Sequence, residues 1–206
     1  QVEADPALLN LSPFETYFSE KRPFFLEGRQ YYEQQAFNMF YSRRIGTGDE
    51  NARIRVAGKL TGKMPSGLSL AALYALTDVT ADGQAHNPFK GGEQTTQFFV
   101  GRFGQEFNKG AQRFSLMQTA VLKPDDRDRY GSYATRDAYA TGVDFNVYFA
   151  DRSYSLDGSF VGSMVDPKES GSEPQLDHSA VHGTGGWVGF IKRAGTLRGS
   201  VSGGWE

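Results

Sequence analysis

From Phe37 to the end of the chain, apolar and polar positions alternate with a period of two. In one run Tyr139, Thr141, Val143, Phe145, Val147 and Phe149 are separated by Ala140, Gly142, Asp144, Asn146 and Tyr148. In the next, Tyr154, Leu156, Gly158, Phe160, Gly162 and Met164 alternate with Ser155, Asp157, Ser159 and Ser163. The last sets Leu197, Gly199, Val201, Gly203 and Trp205 against Arg198, Ser200, Ser202 and Glu206. Successive side chains of a strand point to opposite faces, so each run predicts a strand with one apolar and one small or polar face. Nine strands are predicted, over about 37–45, 52–62, 67–78, 94–105, 111–122, 137–150, 153–165, 184–194 and 196–206. Tight turns are expected at Lys63–Ser66, Asn108-Lys109-Gly110, Asp151-Arg152 and Ala194-Gly195. Long polar connections at about 79–93, 123–136 and 166–183 fall between them. Short and long connections in alternation predict an all-β, antiparallel up-and-down meander.

The first 36 residues have a different texture. Ser12-Pro13-Phe14-Glu15 reads as a capping box, with Ser at the N-cap and Pro at the first helical position. It predicts a short helix over Pro13–Phe18, which needs a packing partner because so short a helix is unstable alone. The expected organisation is an N-terminal plug or junction segment, 1–36, followed by strands over 37–206.

Composition sharpens this picture. Aromatics make up 14% of the chain, with 16 Phe and 10 Tyr, and Gly occurs 25 times, which suits long strands and tight turns. A formal net charge of -2 and the lack of a basic stripe exclude a nucleic-acid partner. With no Cys, disulfides, zinc–thiolate sites and thiol nucleophiles are excluded. Alternation arises in soluble sandwiches, where the apolar face is a core, and in membrane barrels, where it meets lipid. Strand length favours the barrel: soluble strands average about 5–6 residues, and tilted membrane strands need about 9–11. So does the alternation of short turns with long loops. The expectation is therefore part of a transmembrane β-barrel. An odd count of nine, a start at Gln1 and an end inside an alternating run predict a fragment with further strands beyond Glu206.

The densest set of charged residues is Glu15, Glu20, Lys21, Arg22, Glu27, Arg43 and Arg44. One reading is a lumenal ion-pair network that pins the N-terminal segment, because charges removed from bulk water need partners. The other makes Glu20 and Glu27 acid and base, or has the set grip a ligand. The network is favoured, since no His stands near the carboxylates in sequence to complete a nucleophile–base pair. Asp177, His178 and His182 are candidate metal ligands by spacing, but they sit in a Gly- and Ser-rich stretch without helical presentation, and no metal is expected. His86, Asp125 to Asp128 and the DVTADG stretch from Asp78 read as solvated loop residues. The glycine-rich Gly183–Gly186 is followed by no helix, so it is not read as a phosphate loop, and no cofactor is implied.

Several ordered blocks resemble the DUF5916 family: QVEADP (1–6), NLS (10–12), FET (14–16), EKRPFFLEG (20–28), FYSRRIG (40–46) and KLTGK (59–63). The resemblance implies an outer-membrane β-barrel of a Gram-negative bacterium, with the lipid bilayer as partner. It also implies a carbohydrate-binding domain of the family 9 type upstream, and hence carbohydrate as the candidate ligand class. Some members carry hydrolase-like labels. Three functions stay open at this point: a barrel that binds or passes a ligand, a membrane-associated hydrolase using lumenal carboxylates, and a soluble carbohydrate-binding sheet.

Overall fold

The computed structural model describes residues 17–46, 52–79, 94–123, 136–167 and 180–205. Eight antiparallel strands form one open sheet in sequence order: β1 (Ala52–Lys63), β2 (Leu68–Val79), β3 (Gln94–Phe107), β4 (Gln112–Leu122), β5 (Arg136–Phe149), β6 (Tyr154–Pro167), β7 (Val181–Lys192) and β8 (Gly199–Trp205). The eight agree with the predicted strands from the second onward, with ends moved by up to three residues. The turns are where the sequence places them. At Asn108-Lys109 and at Ala150-Asp151-Arg152 non-glycine residues adopt positive φ, between 48° and 61°. Such φ values match the twist of tight hairpins and resist alternative pairings.

The register sorts the residues into two faces. One row crosses all eight strands as Gly62, Leu70, Phe103, Leu116, Val143, Phe160, Gly186 and Trp205. The row beside it, on the opposite face, reads Lys63, Ser69, Gly104, Ser115, Asp144, Ser159, Trp187 and Gly204. The first face is open, with Phe103 47% and Leu116 47% exposed. The second is covered, and Ser115, Asp144, Ser155, Asp157 and Ser159 are all buried there.

Its cover is the segment 17–46, here called the strap. The predicted strand over 37–45 does not form: this stretch carries a 3₁₀ turn at Ser42–Arg44 and joins no sheet. Its backbone is satisfied otherwise. The Tyr41 hydroxyl receives the Phe18 N–H and donates to the Phe18 carbonyl, and Arg22 takes up the carbonyls of Ser42 and Ile45. The strap thus runs past residue 36, and the first strand starts at Ala52. Of the predicted helix Pro13–Phe18, residues 13–16 lie outside the described residues, and Tyr17 and Phe18 are not helical. A helix occurs instead at α1 (Pro23–Leu26). Pro23 starts it with a preset φ, and Gly28 follows at φ 70°, a conformation that favours glycine. The core lies between strap and sheet, where Phe25, Tyr32 and Ile45 pack with Ala71, Leu73, Ala75, Val100 and Met117.

Candidate functional site: the covered face of the sheet

The strap is closed on itself by one carboxylate. Glu20 Oε1 accepts from the N–H groups of Lys21 (3.0 Å) and Arg22 (2.9 Å) and from Arg22 Nε (2.8 Å). Its Oε2 accepts from Arg22 Nη2 (2.8 Å) and Ser42 Oγ (2.6 Å). Arg22 then donates to the Ile45 and Ser42 carbonyls, at 2.7 and 2.8 Å, and lies 4.3 Å from the centre of the Phe25 ring. Burial by itself pushes the Glu20 carboxyl up, but the Arg22 and Ser42 hydrogen bonds and the Arg22 charge outweigh it and bring it to about 2. A carboxyl held this way carries no proton to donate at neutral pH, which suits an anchor and not a general acid.

A second clasp joins strap to sheet. Lys59 Nζ, from β1, donates to the carbonyls of Phe24 and Glu27, both at 2.6 Å, where α1 leaves its acceptors unpaired. The Glu27 carboxylate stands 3.6 Å from Lys59 and is 85% exposed. Tyr32 is buried and donates its hydroxyl to the Ala72 carbonyl at 2.9 Å, and burial pushes its phenol up to about 12. The predicted set is therefore split. Glu20 and Arg22 meet, Glu27 sits apart on Lys59, and Arg43 and Arg44 lie in the turn beside Ser42. Lys21 joins the clasp through its backbone N–H to Glu20. Glu15 lies outside the described residues, as do Asp177, His178, His86, Asp125 to Asp128 and residues 80–83 of the DVTADG stretch. His182 is exposed on the open face of β7, opposite Met164. Among the described residues no three His, Asp or Glu side chains gather as a metal site would require.

Further along, the strap rests on glycines. A Cβ at Gly142 of β5 would strike the Met39 sulfur and the Gln34 amide, and one at Gly185 of β7 would come within 3.0 Å of the Phe37 ring. Beneath and beside it lies a polar surface. Arg102 holds Asp144 at 2.7 and 2.9 Å, across the intervening strand β4. Glu106 is shared by Lys63 and Arg113, each at 2.8 Å. Asp157 accepts from Asn146 and from Ser155, whose hydroxyl also receives Arg193 Nε. Cavities among the described residues include one of about 580 Å³ within the strap, one of about 660 Å³ between it and β7–β8, and one of about 200 Å³ over the charged group of Lys63, Arg102, Glu106 and Arg113.

A family model described as a domain of unknown function (DUF5916) matches residues 1–206, the whole chain. The chain belongs to the DUF5916 family. No curated protein and no solved structure matches it. In this DUF5916 chain the blocks EKRPFFLEG, FYSRRIG and KLTGK, distant in sequence, touch one another. Arg22 of the first binds Ser42 and Ile45 of the second, and Lys59 of the third binds Phe24 and Glu27 of the first. The sequence reading missed Lys59, Tyr32, Arg102 and Asp144. For the last two a signal existed: each is a lone charge in the middle of a strand, at a position of the non-apolar face.

Proposed function

We propose that this DUF5916 chain forms part of the wall of an outer-membrane β-barrel, with the strap lying in the lumen, and that the protein binds or passes a ligand, carbohydrate being the candidate class. The observation that carries the reading is the charge pattern of the open face. Its charged positions with a register partner, Arg53, Asp78, Asp137, Asp166 and Lys192, all stand within two residues of a strand end among the described residues, and Arg55 falls in the bulge near the start of β1. Between them the face carries Leu, Val, Phe, Tyr, Met, Gly and uncharged polar residues. Water would favour charges there, and a hydrocarbon layer would not. Strands β1–β7, of 11–14 residues, extend about 36–46 Å at roughly 3.3 Å per residue. A tilt near 40° leaves about 28–35 Å along the membrane normal, enough for an apolar band of roughly 25 Å. Aromatic rings cluster toward the short-turn end, where Phe149, Tyr154 and Phe190 stand 5.5–6.2 Å apart and Phe107 faces Phe114 at 6.3 Å. This is the place of an interfacial girdle. Among the described residues no helix is long and apolar enough to cross a membrane.

Fractionation of a Gram-negative host expressing the full-length protein tests this. Recovery in the outer-membrane fraction, released only by detergent, is expected. Recovery in the soluble fraction without detergent would sink the membrane reading.

A further inference from the structure

Strand β3 carries Arg102, Gly104 and Glu106 two residues apart on the covered face. Across from Gly104 stand Ser69 of β2 and Ser115 of β4. Lys63 of β1 and Arg113 of β4 meet on Glu106. Gln30 and Tyr31 of the strap close the other side, and the space enclosed is the cavity of about 200 Å³. Small-molecule sites usually span about 300–1,000 Å³, so this one suits a single functional group. Lys63 and Arg113 are exposed, so its rim is reached from solvent.

Three positive side chains line this cavity, against one carboxylate, Glu106. Asp144, paired with Arg102, leaves the group of five with one positive charge in excess. Donors are in excess too. Arg22 in the strap uses all three of its guanidinium nitrogens on protein acceptors. Among the described residues Arg102 uses only Nη2, on Asp144, and Arg113 only Nη2, on Glu106. The Lys63 ammonium has three N–H groups and one acceptor, Glu106. Ser115 lines the cavity and is only 8% exposed, yet its hydroxyl has no hydrogen-bond partner among the described residues.

A buried donor without an acceptor is costly, and converging guanidinium, ammonium and hydroxyl donors are what an oxyanion takes up. A cation would face three like charges. An apolar ligand would cover the free donors without pairing them. We propose that this cavity binds a single oxyanion group, held by Arg102, Arg113, Lys63 and the Ser115 hydroxyl. The group is a free anion or the charged end of a larger ligand. The site is independent of the membrane and carbohydrate parts of the proposed function, because the covered face and the strap build it in either setting.

The test is calorimetric titration of the full-length protein in a nonionic detergent, at a constant ionic strength set with sodium chloride. Acetate and inorganic phosphate are the free anions. Glucuronate and glucose 6-phosphate carry the same groups on a larger body, and choline is the cationic comparison. At least one anion should bind saturably, and choline should not. Equal affinity for a free anion and its larger counterpart would assign the site to the free anion. Tighter binding of the larger one would assign it to the end of a ligand, and either result upholds the site. Arg113→Gln should weaken binding about tenfold, the size of one charge-assisted hydrogen bond. Ser115→Ala should weaken it about threefold to tenfold, the size of one neutral hydrogen bond. Glu106→Gln should tighten it about threefold or more, because a competing carboxylate is removed. Circular dichroism checks that each variant folds. Arg113 is exposed, so Arg113→Gln decides should Ser115→Ala fail to fold. The proposal is overturned if no anion saturates, if choline binds as well as the anions, or if the folded Arg113→Gln and Ser115→Ala variants titrate like the wild type.

Discussion

Glu20 shows how the meaning of one residue changes once its neighbours are known. In sequence it stands among charges next to aromatics, a setting compatible with acid–base chemistry. In the fold it accepts five hydrogen bonds and its side chain is 4% exposed. Replacing it with Gln puts an amide donor against Arg22 and Ser42, and should loosen the strap by about 1–3 kcal/mol. Hydrogen exchange would show this as faster exchange confined to residues 17–46, and unchanged strap protection would refute it. The pH dependence follows from two groups. The Glu20 carboxyl is lowered from 4.5 to about 2, so its ionised form belongs to the docked strap. That contribution is complete above pH 4.5 and is lost as pH falls toward 2. The Tyr32 phenol is raised from 10 to about 12, so its neutral form belongs to the docked strap. That contribution is complete below pH 10 and is lost as pH rises toward 12. The chain has no Cys, so Asn38→Cys allows a single fluorescent label on the strap. Its emission should stay constant from pH 4.5 to pH 10 and change outside that window.

At the level of elements, the strap is held unevenly. Toward β1 and β2 it is clasped by Lys59 and by the Tyr32 hydroxyl, and its aromatic and aliphatic side chains enter the core. Toward β5 and β7 it makes glycine contacts through Gln34, Met39 and Phe37. Gly142→Val would place a branched side chain where Met39 and Gln34 now lie, and overpacking of this kind costs about 1–3 kcal/mol. The expected result is faster proteolysis of the strap with an unchanged β-sheet circular dichroism spectrum. Gly101→Ala is the control: nothing lies within 4 Å of a Cβ there, and strap proteolysis should match the wild type. If both variants behave alike, the glycine contacts do not hold the strap.

For the whole molecule, the two faces set the environment that the fold requires. Leu116 sits at the centre of the open face between Phe103 and Val143, and is 47% exposed. In a bilayer Leu116→Arg should cost roughly 2–4 kcal/mol near the midplane. In water it would exchange an exposed apolar side chain for a charged one at little cost. Folding yield into phospholipid vesicles distinguishes the two: a marked loss is expected, and an unchanged yield would argue against lipid contact at this face. The covered face behaves differently. There Arg102 pairs with the buried Asp144, Glu106 is shared by Lys63 and Arg113, and the buried Asp157 is held by Asn146 and Ser155, as a buried charge requires partners.

Strand order and faces were legible in the chain because they depend on local rules. The pleat turns a period of two into two surfaces, and residues such as Asn108-Lys109-Gly110 accept the positive φ that a tight turn demands. The same rules misread residues 37–45. Phe37 and Met39 have strand spacing, but they bury their side chains against Gly185 and Gly142, and Arg22 and Tyr41 replace the ladder partners. The candidate site was legible only in part. Glu20 and Arg22 are two residues apart, so their pairing could be anticipated from sequence. Tyr32 with Ala72, Lys59 with Phe24, and Gln34 with Val143 are separated by 40, 35 and 109 residues. By itself the sequence determined the meander, its turns and its apolar face, because each is set within a few residues of backbone. The path of the strap, the clasps that hold it and the meeting of Phe37 with the Trp187 cavity were decided by the tertiary structure alone, since such contacts depend on which distant surfaces leave room and unpaired carbonyls for them.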